Sequence, residues 1–182
     1  MRHQLIKHIR TTAFEQGDFT LASGKKSTYY INIKKVYTDT EALNMISALI
    51  LQELVKHQYD YKLAGIELGG VPIVAATALA FETNTSYLIV RKETKEHGVE
   101  NLGIEGTFTK GERVILLEDV TTTGMSAVNA VIKLRGAGLI CNTVISVVDR
   151  KDDAWLSLNR NNITLIPIIT VDELMEKEEV SI

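Results

Sequence analysis

The sequence predicts an α/β domain built on an open, mostly parallel twisted sheet flanked by helices. Four short, continuous apolar runs carry this reading: Leu63-Ala64-Gly65-Ile66, Tyr87-Leu88-Ile89-Val90, Val114-Ile115-Leu116-Leu117 and Thr143-Val144-Ile145-Ser146-Val147-Val148. Their length and composition are those of parallel strands buried on both faces. Helix-like stretches at 72–82 and 126–136 lie between them. That order gives βαβ units, whose crossovers are right-handed. The size agrees: 182 residues, 45% hydrophobic and 24% charged, are enough for one filled core and so for one domain, 1–182.

At the amino end, Leu5, Ile6, Ile9, Ala13 and Phe14 recur at near-helical spacing until Gly17-Asp18 breaks the pattern, so a short leading helix is expected over 1–15. The segment 19–36 holds Thr28, Tyr29, Tyr30, Ile31 and Ile33 after the turn-like Ser23-Gly24, which suits strands flanking a loop. Asp39 and Thr40 open a helix to about His57, with Leu43, Ile46, Ile50, Leu51 and Leu54 on one side. After the fourth apolar run come a final strand near 163–168 and a short acidic helix from Val171, expected to be solvated. His3, His8 and His57 are assigned no role, and Cys141 and Trp155 read as packing residues.

Composition narrows the function. A net charge of −3 and a pI near 5.8 offer no broad basic face, so nucleic acid is not the expected partner and an anion must be captured by a local cluster of donors. The single cysteine permits no internal disulfide and no cysteine zinc site. The start Met1-Arg2-His3-Gln4-Leu5 lacks an apolar signal core, and no stretch approaches the roughly 20 apolar residues of a membrane span, so a cytoplasmic location without membrane contact is expected.

The most informative segment follows the third apolar run: Glu118-Asp119-Val120-Thr121-Thr122-Thr123-Gly124-Met125-Ser126. A helix beginning near Ser126 leaves unpaired N–H groups and a partial positive charge at its start, which together bind a phosphate. Gly124 lets the backbone approach the anion, and Thr121, Thr122, Thr123 and Ser126 add hydroxyl donors. Glu118 and Asp119 fall at the carboxyl end of a central strand, where open α/β sheets bind ligands. Carboxylates there suit sugar hydroxyls or, through water, Mg²⁺. A helix cap beside a solvated charge is the plain alternative for the acidic pair. The pattern GxxxxGK[ST] is absent and no lysine follows Gly124, which disfavours a Walker-type nucleoside triphosphatase.

A second segment, 92–110, is polar, holds Gly98, Gly103 and Gly106, and is longer than most connections in compact domains. It reads as a long loop. Arg91, Lys92, Lys95 and His97 gather positive charge that can clamp a diphosphate, although Glu93 and Glu96 offset part of it and a solvated charged turn is the rival reading.

The strand, acidic pair and Thr121–Ser126 turn together resemble the signature with which type I phosphoribosyltransferases hold 5-phosphoribosyl 1-diphosphate (PRPP). Two further segments resemble orotate phosphoribosyltransferases in particular. Phe19-Thr20-Leu21-Ala22-Ser23-Gly24-Lys25-Lys26-Ser27-Thr28-Tyr29-Tyr30 is similar to that family's early F-x-L-x-S-G-x-x-S-x-Y-aromatic segment. Arg91-Lys92-Glu93-Thr94-Lys95-Glu96-His97-Gly98, with Ile104-Glu105-Gly106, is similar to its R-K-x-x-K-x-H-G mobile loop and return strand. With Asp149-Arg150 the likeness spans 19–150.

The resemblance implies a type I phosphoribosyltransferase fold with a small N-terminal hood, formed by 1–38 plus the C-terminal part, over the base. It implies transfer of the 5-phosphoribosyl group from PRPP to orotate, with Mg²⁺ carried by PRPP and no metal ligated directly by protein. PRPP would be held by Gly69, Gly70, Arg91, Lys92, Lys95, His97, Glu118, Asp119, Val120, Thr121, Thr122, Thr123, Gly124, Met125 and Ser126, with Lys95 and Asp119 catalytic. Orotate would meet Thr122, Arg150 and Tyr30, with Ile31 beside Tyr30 as apolar surface. In the family the loop at 92–110 reaches a neighbouring subunit, which implies a homodimer with shared sites. The chain departs from the family where Ala22 and Gly69 stand in place of lysines found in many members, and Gly69-Gly70 offers backbone N–H groups instead. Another nucleobase phosphoribosyltransferase, or a PRPP-sensing regulator that binds nucleic acid, are the alternative readings. The acidic pI and the basic loop speak against the regulator.

Overall fold

The computed structural model describes residues 1–20, 26–57, 60–81, 86–93 and 103–176. Six strands form one sheet in the order β5-β4-β3-β6-β7-β8. These are β3 (Lys62–Ile66), β4 (Leu88–Val90), β5 (Ile104–Glu105), β6 (Arg113–Thr121), β7 (Ile140–Asp149) and β8 (Thr164–Thr170). Every pairing is parallel except that of the edge strand β5, which runs antiparallel to β4. A separate antiparallel hairpin joins β1 (Phe14–Thr20) to β2 (Lys26–Ile31).

The apolar runs work as the sequence implies because successive strand residues face opposite sides. On β6, Ile115 and Leu117 enter one core layer with Leu5, Ile46 and Ile50. Val114 and Leu116 enter the other, with Val128, Val131 and Leu134. Helices α1 (Arg2–Thr12), α3 (Thr40–Leu54) and α4 (Gly70–Ala80) cover the first face, and α5 (Met125–Gly136) and α6 (Ala154–Arg160) the second. Asp39 caps α3 by accepting from the Ala42 N–H at 2.9 Å, a contact that contributes about 1 kcal/mol.

Several expectations need correction. Gly17-Asp18 lies inside β1, where the register shifts between Gln16 and Phe19, so the helical pattern stops because a strand with a bulge begins. The short helix α2 (Lys34–Tyr37) and α6 lie where no helix is expected, and α3 ends at Leu54, short of His57. Strand β6 carries Glu118 and Asp119 near its carboxyl end as expected and runs on to Thr121, where the ladder to β7 still holds, since pairing depends on N–H and C=O groups and not on side-chain polarity. Trp155 is 59% exposed at the start of α6 and is not a packing residue, whereas Cys141 is fully buried, its thiol pushed up to about 12 by that burial.

Nor is α7 (Val171–Met175) solvated. Val171 and Leu174 are buried, and Arg2 and Arg10 of α1 reach across to it. Thr170 and Glu173 form a reciprocal capping box, and Glu173 also pairs with Arg2. Burial raises the Glu173 pKa, but the hydrogen bonds from Arg2 and Thr170 outweigh it and hold the group below its ordinary 4.5. A depressed carboxylate stabilises the fold above that value and loses this contribution as pH falls through the folded-state pKa. Glu173→Gln keeps an amide oxygen that can close the capping box but removes the charge, so it should cost at most about 1 kcal/mol near neutral pH, from the solvent-screened pairing with Arg2. Thermal melts of variant and parent should converge below pH 4.5.

Candidate active site

The strand order sets the place where a ligand binds. From β3 the chain goes to β4 on one side, then crosses back to place β6 on the other, so the sheet changes direction between β3 and β6. At such a switch point the loops leaving the two strands diverge and open a crevice at their carboxyl ends. Here those loops are the Glu67–Gly70 turn after β3, with its cis Glu67–Leu68 peptide, and the segment after Asp119 on β6.

The two sides touch closely. Gly69 lies against Asp119: a Cβ at 69 would fall 1.9 Å from Asp119 Oδ2. Gly70 packs on β6 and β3 so tightly that a Cβ there would be 2.7 Å from the Leu117 carbonyl. Residue 69 thus has no room for a lysine, or for any side chain, while the Asp119 carboxylate holds its place. Asp119 Oδ1 accepts from the Val120 N–H at 2.8 Å.

Beyond Asp119, residues 120–127 and Glu118 enclose a small concave seat. Gly124 adopts the left-handed conformation, φ +76°, and hands the chain to α5 at Met125, so the first N–H groups of a twelve-residue helix open onto the seat. Thr122 is half-buried, while Thr123 and Ser126 are exposed. Thr121 is 1% exposed and its Oγ1 lacks a partner among the described residues, a buried donor waiting at the base of the seat. Glu118 is 7% exposed and its Oε2 is likewise unpartnered. Burial, then the charge of Asp119, pushes the Glu118 pKa well above the usual carboxylate range. A helix start carrying hydroxyls and no cation, above a buried Glu118 and a half-buried Asp119, is built for a phosphate ester joined to a hydroxylated carbon skeleton.

Arg91 and Lys92 stand beside this crevice. The Arg91 guanidinium lies 3.8 Å from Glu67 and 3.4 Å from Glu105, so part of its charge is already offset. The Arg91 N–H donates to the Gly103 carbonyl and the Lys92 N–H to Glu67, which closes the base of the loop on itself. Lys133 of α5 donates to the carbonyls of both residues, a contact no sequence motif signals. Lys95 and His97 lie outside the described residues, as does Ala22.

On the other flank, Arg150 follows β7 and its N–H donates to the Thr121 carbonyl at 2.9 Å, which joins it to the seat. Its side chain is 8% exposed, donates to Tyr29 Oη and Ser27 Oγ at 3.3 Å, lies 4.6 Å over the Tyr29 ring, and pairs with Asp152 at 3.5 Å. The Arg150 partner that sequence reasoning assigned no role is Tyr29, although it stands at the tyrosine of the early segment that resembles the family's. Tyr30, which the resemblance places against the base, points to the opposite side of β2 from Tyr29 by strand alternation, is 40% exposed, and has its ring 5.7 Å from that of Phe19. Ile31 is a core residue.

Among the described residues no group of three His, Cys, Asp or Glu could hold a metal, so no protein cage for a divalent cation is present there. The unpartnered Glu118 Oε2 does fit an oxygen-seeking ion approached through water.

A parallel sheet with a phosphate seat and an acid pair at its switch point defines the class of type I phosphoribosyltransferases. No family model matches the chain. It is 45% identical over 184 residues to the orotate phosphoribosyltransferase of Pyrococcus furiosus, covering 100% of this chain and 99% of that one. The crystal structure of orotate phosphoribosyltransferase from Aeropyrum pernix superimposes with a TM-score of 0.81 at 31% identity, covering 96% of each chain. That of the Mycobacterium tuberculosis enzyme in complex with PRPP gives 0.78 at 27% identity, covering 96% of this chain and 99% of that one. The chain belongs to the orotate phosphoribosyltransferase family.

Proposed function

We propose that the chain transfers the 5-phosphoribosyl group from PRPP to orotate, giving orotidine 5′-monophosphate and diphosphate, a step of pyrimidine nucleotide synthesis. The observation that carries this is the seat at the start of α5 with Glu118 and Asp119 beneath it, in a chain that matches orotate phosphoribosyltransferases along its whole length. The N–H groups of 123–126 and the hydroxyls of Thr121, Thr122, Thr123 and Ser126 take the 5′-phosphate. Glu118 and Asp119 face the ribose hydroxyls, and Gly69-Gly70 present N–H groups to the diphosphate. Arg150 forms two parallel hydrogen bonds to orotate beside Thr122.

As the bond from C1 to diphosphate breaks, positive charge grows on the sugar ring and negative charge on the departing group. Asp119 at the switch point lies where it can stabilise the first, and Lys92 and Lys95 neutralise the second. When bound with PRPP, Mg²⁺ supplies further charge neutralisation on the diphosphate, with Glu118 or Asp119 holding it through water. Lys95→Ala should lower kcat about 100-fold or more with a smaller change in PRPP affinity, measured by steady-state kinetics and titration. Parental kinetics in that variant would remove Lys95 from the mechanism.

Helix α4 supports a homodimer. Thr77 is its only polar side chain, it is hydrophobic all round, and Leu79 is 85% and the neighbouring Leu68 63% exposed in the single chain. A helix of that composition is normally covered, and a second copy of the chain is the occupant we propose. No helix among the described residues is long and apolar enough to cross a membrane, and Cys141 is a free thiol, which supports a cytoplasmic setting.

The deciding experiment supplies the protein with PRPP, Mg²⁺ and a panel of nucleobases. Release of diphosphate with orotate alone is expected. Preferential use of another base, or binding of PRPP without turnover, would overturn the assignment.

A further inference from the structure

We propose that Lys133 is a positioning residue for PRPP, fixing the cationic stem of the loop at a set distance from the phosphate seat. The inference rests on the reading that Arg91 and Lys92 serve the diphosphate end of PRPP. Lys133 lies in the last turn of α5, the helix whose first turn is the seat. Its Nζ donates to the Arg91 carbonyl at 2.7 Å and to the Lys92 carbonyl at 3.0 Å. Lys133 stands nine positions after Gly124, about 13 Å along the axis. A single rigid element therefore carries the seat at one end and grips the loop stem near the other.

The grip is charge-assisted, and such bonds are shorter and stronger than neutral ones. It acts on backbone carbonyls, so it sets where the two residues sit without using their side chains. Among the described residues the other hydrogen bonds and ion pairs of Arg91 and Lys92 run within the stem or to the switch loop: Arg91 N–H to Gly103, Lys92 N–H to Glu67, and the Arg91 side chain to Glu67 and Glu105. None of these reaches α5. Packing of Leu88 and Val90 of β4 with α5 holds the start of the stem near the helix, so without Lys133 residues 91 and 92 would stay close but lose the hydrogen-bonded tie that fixes their place relative to the seat.

A lysine in the last turn of a helix also complements the helix dipole, and that role alone would affect stability but not discriminate between ligands. Two ligands separate the cases. Ribose 5-phosphate occupies the seat only, whereas PRPP spans seat and stem. For Lys133→Met, calorimetric titration should show PRPP binding weakened about tenfold with ribose 5-phosphate binding unchanged. Lys133→Arg, which can reach both carbonyls, should restore most of the loss. Unchanged PRPP affinity in Lys133→Met, or equal weakening of both ligands, would overturn the proposal. If the parent binds PRPP but does not consume orotate, the proposed activity fails while the two titrations still decide the role of Lys133. If the parent binds no PRPP, both fall.

Discussion

Gly69→Ala lowers kcat about 100-fold while leaving the thermal midpoint close to the parent's. The new Cβ would lie 1.9 Å from Asp119 Oδ2, 2.2 Å from its Cγ and 2.9 Å from its Cβ, all impossible distances. Rotation of the half-buried Asp119 side chain relieves the contacts with Oδ2 and Cγ, and a small shift of the Glu67–Gly70 turn relieves the contact with Cβ, which rotation leaves in place. Folding loses little by this, but the carboxylate at the switch point moves from its place, and a displacement of about 1 Å at a reacting centre costs on the order of 100-fold in rate. The same contact forecasts the outcome of Gly69→Lys, which introduces the lysine that the family resemblance leads one to expect there. Its added charge does not compensate, because the Cβ comes with it. Steady-state kinetics beside thermal melts check both variants. A Gly69→Lys protein with full turnover and tighter PRPP binding would show that the Asp119 position is not used.

Gly124→Ala acts on the other half of the site and on stability as well. A residue with a Cβ at φ +76° pays about 1–2 kcal/mol of backbone strain. Here the Cβ also meets the Ala154 carbonyl at 3.0 Å and Leu158 Cγ at 3.2 Å, so α6 resists from behind. Either the turn flattens or α5 shifts, and both turn the first amides of the helix away from the seat. PRPP and ribose 5-phosphate should both bind about tenfold or more weakly, since 1.4 kcal/mol is a factor of ten. Titration calorimetry measures it, and unchanged affinity for both would place the phosphate elsewhere.

The core strands were legible because burial on both faces leaves continuous apolar runs, as in Val114-Ile115-Leu116-Leu117. The seat was legible because a left-handed glycine before a helix start has a composition of its own. What escaped the sequence depended on distance in the chain or on shortness. The docking of α7 rests on Arg2 and Arg10, more than 160 residues away, and nothing local marks them as its partners. Helix α6 buries only Ala154 and Leu158 in seven residues, too few for a period to show. The hand of β2 decides which of Tyr29 and Tyr30 turns inward to Arg150 and which outward, and a bulge in β1 obscures the register that would set it. Gly69 read as a missing lysine, and only the fold reveals that Asp119 occupies the space.

A crystal structure of the protein with PRPP tests the central claim most directly. The 5′-phosphate should rest on the amides at the start of α5, with the diphosphate beside Gly69-Gly70. A sugar phosphate bound anywhere else, with the turn at Gly124 left vacant, would contradict it.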